Sequence, residues 1–190
     1  HGYTTSWGTT SRMIGSVIMV HGDDDGLRLP PRVAPYQVVV IPIVNAENTE
    51  SMNEFAESIG EQLRAIGIRV MVDTTDLRSA DKMWKWIKHG VPVRLEIGAR
   101  EMENGDVTIT RRDLGKSSKQ TIKLADFIAT VPTLLETIQS DMLEAVVEQN
   151  KRLITNVDGV AELSEKLAEG TIGFFRLKYA DTLNPEFDAL

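Results

Sequence analysis

The 190-residue chain has no cysteine, only 3 histidines, and an aromatic content of 6%. Without thiols it can hold neither a disulfide framework nor a thiolate zinc site within these residues. No apolar run approaches the roughly 18 residues of a membrane span. The opening His1-Gly-Tyr-Thr-Thr5 is neither a basic leader nor a start methionine. These absences predict a soluble protein with a cytoplasmic address and no membrane partner, and a chain that reads as a piece of a longer one. Proline is scarce too, yet 3 of the 7 prolines fall in Leu29-Pro-Pro-Arg-Val-Ala-Pro35. That stretch denies a helix and gives a stiff connector, at which a domain boundary is placed.

Basic charge is in deficit overall, with a formal net charge of -7, which argues at first against a nucleic-acid partner. The deficit is uneven. Residues 78 to 123 hold 11 Lys/Arg against 6 Asp/Glu, while the rest of the chain holds 10 against 22. The middle of the chain is therefore a basic island that suits a polyanion, with charge segregation without function as the plainer alternative.

What is present is the composition of a globular protein, 42% hydrophobic and 26% charged. Tyr36–Val44 is a continuous β-branched run of the kind found in strands buried on both faces. Met52, Phe55, Ile59, Leu63 and Ile66 recur at helical spacing, with Ser51 to Glu54 as a capping box and Gly67 as the stop. Ile68–Asp73 reads as a second strand, which makes a right-handed βαβ unit. Residues 78 to 89 form a short basic helix whose Trp84, Ile87 and Met83 pack on the sheet while Lys82, Lys85 and Lys88 stay solvated, base stacking being the alternative to core packing for both tryptophans.

In Gly90–Arg100 the apolar Val91, Val93, Leu95 and Ile97 alternate with Arg94 and Glu96. One face is expected to be buried and the other to display charge, with Arg100 continuing the Arg94 parity if the backbone stays extended. Arg94 and Arg100 could then fork onto base edges and Glu96 accept from exocyclic amines, an ordinary solvated strand face being the alternative. Asn104-Gly105 marks a turn into a further strand, Gly105–Arg112, and Asp113 to Lys116 turn the chain again. Helix follows after Pro132, with Leu135, Ile138, Met142, Val146 and Leu153 on one face. A shorter helix carries Val160, Leu163 and Leu167 and ends at Gly170, and Thr171–Leu177 reads as a strand. The expected fold is α/β, a mixed five-stranded sheet flanked by helices. The expected domains are residues 1–35, 36–132 and 133–190, the first of them irregular or partly displaced.

Three stretches acquire meaning together. Thr5-Ser-Trp-Gly-Thr-Thr-Ser-Arg12 with His21-Gly-Asp23, then Gly26–Pro35, then Gly90–Gly98 resemble successive landmarks of class II prolyl-tRNA synthetases of the archaeal and eukaryotic type, over roughly residues 3 to 155. The resemblance implies the end of a catalytic domain in 1–35, an anticodon-binding domain in 36–132, and the start of a C-terminal domain in 133–190. It implies a parent ligase for protein biosynthesis that activates proline with ATP and Mg2+ and transfers it to tRNA(Pro). Ser6, Trp7 and Gly8 would line the proline pocket and Arg12 would contact ATP. Arg94, Arg100 and Lys116 would read the guanines of the anticodon.

Relatives carry glutamate where this chain has Ile87, so Glu96 or a neighbour would have to substitute. The zinc-binding cysteines of many relatives are also missing. The piece itself is expected to bind tRNA and no cofactor or metal, and not to aminoacylate; the parent is expected to be a homodimer. A threonyl-, histidyl- or glycyl-tRNA synthetase domain is disfavoured by the Ser-Trp-Gly and Pro-Pro-Arg motifs. An interaction module that reuses the anticodon-binding fold without tRNA chemistry is the alternative from a different class.

Overall fold

The computed structural model describes residues 2–45 and 48–189. They form two compact units, His1–Met142 and Leu143–Leu190.

The first unit opens with helix α1, Arg12–His21, none of whose residues is buried. Residues 1 to 35 are expected to be irregular or partly displaced; within them Arg12 to His21 form a regular helix, which no proline interrupts before Pro30. The body of the unit is a five-stranded sheet of order β2-β1-β3-β4-β5. Its strands are β1 (Val38–Pro42), β2 (Val70–Val72), β3 (Val93–Ile97), β4 (Asp106–Arg111) and β5 (Gln120–Lys123). β1 runs parallel to β2 and β3, while β3–β4 and β4–β5 are antiparallel. The expected mixed five-stranded α/β fold is what the chain adopts.

Four helices complete the unit: α2 (Thr49–Ala65), α3 (Ser79–Lys88), α4 (Ala99–Asn104) and α5 (Leu124–Leu153), the last of which runs on into the second unit. On one side of the sheet Val38, Val40, Val93, Leu95, Val107 and Ile109 pack with Met52, Ile59 and Leu63 of α2 and Phe127, Leu135 and Ile138 of α5. On the other side Val39, Ile41, Val91 and Trp86 of α3 make a smaller cluster. The central strands are thus covered on both faces, as continuous β-branched runs require.

Several local expectations change. α2 begins at Thr49 behind Asn48, so Ser51 is inside the helix and is no cap. Ile66 ends up exposed, and Gly67 stops the helix at φ +83°. Asn104-Gly105 joins a helix to a strand: α4 separates β3 from β4, capped at its start by the Glu101 carboxylate on the Gly98 N–H and at its end by left-handed Gly105. Val91 lies with the α3 cluster and not with Val93, because Pro92 precedes the strand. α5 begins eight residues before Pro132 and continues through it, since Phe127, Val131 and Leu135 are all buried against the sheet and outweigh one lost backbone bond.

The second unit pairs β6 (Ile154–Asn156) in parallel with β7 (Phe174–Arg176) around α6 (Val160–Ala168). β6 was not expected from its sequence. Leu167 is exposed, whereas Val160 and Leu163 are buried.

One crossing places a loop of the first unit against the end of α3 and the residues that follow it. Leu27 N–H donates to Lys88 O at 3.1 Å and Leu29 N–H to Gly90 O at 3.1 Å. The approach needs glycine: Gly90 sits at φ +71°, and a Cβ there would meet the Leu27 backbone at 2.7 Å. Gly90→Ala is therefore expected to lower stability by about 1–3 kcal/mol, read as a shifted urea midpoint with an unchanged slope; an unaltered midpoint would refute the crossing.

Candidate nucleic-acid interface

The α3 side of the sheet carries the polar residues. Arg94 and Glu96 of β3 lie opposite Thr110 and Thr108 of β4 in register. Period-two alternation puts all four on the face away from the main core. That face does not display its charge freely, as the sequence pattern suggested. Arg94 is 6% exposed and Glu96 5%, because α3 and the 3-10 turn Gly115–Ser118 stand over it. Between them lies a cavity of about 350 Å3, walled by Met83, Trp84 and Ile87 of α3 and floored by Arg94, Glu96 and Thr110, with Lys116 and Lys119 at the turn.

The wall is set by how α3 is anchored. Lys82 and Trp86, four residues apart, face the sheet. Trp86 packs edge-on to Tyr36 at 6.0 Å, and its indole N–H donates to Asp73. Lys82 is 1% exposed and its ammonium donates to the Asp73 carbonyl oxygen at 3.0 Å, so its stem fills core space. Lys85 pairs with the Asp73 carboxylate at 3.0 Å. The expectation of a solvated Lys82 and a packed Trp84 is therefore reversed. The helix turns on the Asp73 anchor, which leaves Trp84 half exposed on the cavity wall.

Burial alone would raise the Asp73 pKa, but the hydrogen bonds from Thr75, Lys85 and Trp86 outweigh it and hold the value at about 2. A depressed folded-state pKa contributes stability above the unfolded value near 4 that is lost as pH falls toward 2. Asp73→Asn is expected to cost about 2 kcal/mol at neutral pH. Its unfolding midpoint should converge on that of the wild-type chain as the pH of a denaturant series approaches 2; a constant gap would refute the charge role.

The electrostatics single out a few cations. Within the basic island, Arg78, Lys85, Arg111, Arg112, Lys119 and Lys123 all pair with carboxylates. Among the described residues, Lys88, Arg94, Arg100 and Lys116 have neither an ion pair nor a side-chain hydrogen bond. The Arg94 Nε and Thr110 Oγ1 are buried without a partner. Burial pushes the Arg94 pKa down from its ordinary value, Glu96 pulls it back up, and Arg112 lowers it further. A buried donor left unsatisfied costs about 1–3 kcal/mol, so such a group is suited to an acceptor supplied by a ligand. Glu96 is held by Lys119 at 2.7 Å.

Of the residues singled out from sequence, Arg94, Glu96 and Lys116 come together in one cavity. Arg100 does not join them. It lies exposed on α4 because the strand ends at Ile97, so the Arg94 parity does not reach it. Ser6, Trp7, Gly8 and Arg12 form no enclosure: all are exposed, Trp7 at 93%. They do not by themselves make a cradle that fits a nucleotide. Among the described residues no cluster of His, Asp and Glu could hold a metal ion. Trp84, Thr110, Arg112 and Lys119 were not picked out as site residues. Trp84 would have been found by fixing the helix register on a Lys82–Trp86 face; the others depend on pairing across the sheet.

Residues 37–134, which contain this sheet and most of the cavity lining, match the family model described as anticodon binding domain. The chain belongs to the anticodon-binding domain family. It is 45% identical over 150 residues to a proline–tRNA ligase of Anaeromyxobacter dehalogenans, covering 76% of this chain and 29% of that protein. It is 40% identical over 188 residues to the proline–tRNA ligase of Porphyromonas gingivalis, covering 97% and 37%. To the enzyme of Akkermansia muciniphila it is 40% identical over 172 residues, covering 87% and 34%. The chain thus spans about a third of the length of these curated relatives. For an anticodon-binding domain, a cavity roofed by an aromatic ring and floored by uncommitted donors suits a single unstacked base.

Proposed function

We propose that this chain is part of a proline–tRNA ligase and that its sheet binds the anticodon loop of tRNA(Pro) with the α3 cavity. The observation that carries this is the coincidence of partnerless cations with that cavity: Arg94 on the floor and Lys116 at the rim. In this reading Arg94 donates to the O6/N7 edge of a guanine, Glu96 accepts from its N1 and N2, and Trp84 offers a face for stacking. Lys116 contacts O6 or phosphate. Arg100, outside the cavity, serves as a phosphate anchor.

The parent would activate proline with ATP and Mg2+, with Ser6, Trp7 and Gly8 toward proline and Arg12 toward ATP, residues that need further chain around them to form a site. The domain division proposed is the end of the catalytic domain in 1–35, the anticodon-binding domain in 36–132, and the start of a C-terminal domain in 133–190. The motif pattern supports the archaeal and eukaryotic type, in a group of relatives whose members named above come from bacteria. A cytoplasmic, homodimeric parent accords with this reading.

Filter binding of wild-type and anticodon-swapped transcripts tests it. Arg94→Ala is expected to cost about 1–3 kcal/mol on proline tRNA and to erase discrimination. Lys116→Ala and Arg100→Ala, where the contact is to phosphate, should weaken all transcripts alike and flatten the salt slope by about 0.7 each. Equal loss on every transcript for the Arg94 variant would reject the base-reading role.

A further inference from the structure

The cavity contains a second guanidinium, and it is fully committed. Arg112 follows β4 and lines the same space as Arg94. Its Nη1 and Nη2 donate to the two Asp23 carboxylate oxygens at 2.9 and 2.6 Å, and its Nε donates to the Ile87 carbonyl at 3.1 Å. The partner comes from outside the region matched by the family model, 37–134.

Asp23 is itself held in place. Its Oδ1 accepts from the backbone N–H of Asp25 and Gly26 at 3.0 and 3.1 Å. The turn is pressed onto the end of α3, where a Cβ on Gly26 would meet the Lys88 Cα at 2.7 Å, and the Leu27 and Leu29 hydrogen bonds continue the crossing. The Arg112 hydrogen bond also keeps the Asp23 carboxyl below its ordinary pKa, against the effect of burial. Asp25 of the same turn lines the cavity.

We infer that Asp23 is a specificity-determining positioning residue of the anticodon cavity, one that neutralises Arg112 so that Arg94 is the single uncommitted guanidinium facing the ligand. The inference rests on the proposed base-reading role of that cavity. The physical reason is competition. Two uncommitted guanidiniums in one small cavity would hold any phosphate by charge, and phosphate contacts carry no sequence information. A bidentate carboxylate occupies the Arg112 fork in the geometry a phosphate would use. What remains rewards a partner with the correct base edge.

This predicts a gain of the wrong kind of binding. Asp23→Asn frees the Arg112 charge. With the 190-residue chain and fluorescent anticodon stem-loops, one carrying the proline anticodon and one with its guanines replaced by adenines, affinity for the swapped loop should rise about threefold. Discrimination should fall, and the log–log salt slope should steepen by about 0.7, the value of one added contact to single-stranded phosphate.

Asp24→Asn makes the same charge change one residue away and should raise both affinities equally, leaving discrimination intact. Asp23→Glu, or Asp23→Asn combined with Arg112→Gln, should return the slope to the wild-type value. Three results would overturn the inference: an Asp23→Asn chain indistinguishable from Asp24→Asn, equal weakening of both loops as a merely structural role would give, or a steep slope that persists without Arg112. Equal binding of both loops by the unaltered chain would instead overturn the base-reading role on which the inference rests.

Discussion

The candidate interface depends on one constraint: β3 is covered on both faces, yet it carries an arginine and a glutamate in mid-strand. The main core takes Val93, Leu95 and Ile97, and alternation then sends Arg94 and Glu96 under α3. Charged groups in that position need partners or a ligand, because desolvating an unpaired ion is expensive. Glu96 has Lys119, and the neighbouring Arg112 has Asp23. Among the described residues, Arg94 is left with a buried, unpartnered Nε beside the equally unpartnered Thr110 hydroxyl. The folded chain carries that cost, which complementary acceptors from outside would relieve.

The roof over this floor is secured by Asp73. One carboxylate and its own carbonyl collect Thr75, Lys82, Lys85 and Trp86, tying the end of β2 to two successive turns of α3. Through this anchor a residue remote from the cavity decides that Trp84 faces it and Trp86 does not. Lys85 also lies over the Trp86 ring at 4.7 Å, which adds a cation–π contact to the same anchor. In the proposed reading, rigid placement of this aromatic wall lets the cavity take an unstacked base without repacking the core.

Charge distribution along the chain proved a coarse guide and pairing a sharper one. The basic island has an excess of Lys and Arg, yet most of those side chains are neutralised locally or by carboxylates brought from afar: Asp23 reaches Arg112 across 89 positions and Asp141 reaches Arg111 across 30. An excess that survives pairing is the quantity that matters for a polyanion partner, and it is confined to a few residues around one cavity and one helix.

The sequence by itself determined the sheet, the βαβ unit, the alternation of β3 and the motif resemblance. Period-two and helical spacing are local properties, and the apolar faces of β1, α2 and β3 are unambiguous. Arg94 and Glu96 were legible for the same reason, as polar positions on a strand, and Lys116 through the motif resemblance alone. What only the tertiary structure decided were the rotation of α3, the helix that removes Arg100 from the Arg94 face, and the identity of the groups left without partners. Lys82 looks solvated in the sequence because nothing nearby reveals the Asp73 carbonyl that accepts its hydrogen bond. Asp23 likewise looks like a surface turn until the Gly26 and Gly90 crossing brings it to Arg112. Partnership between residues distant in sequence is a property of packing, and local pattern carries no information about it.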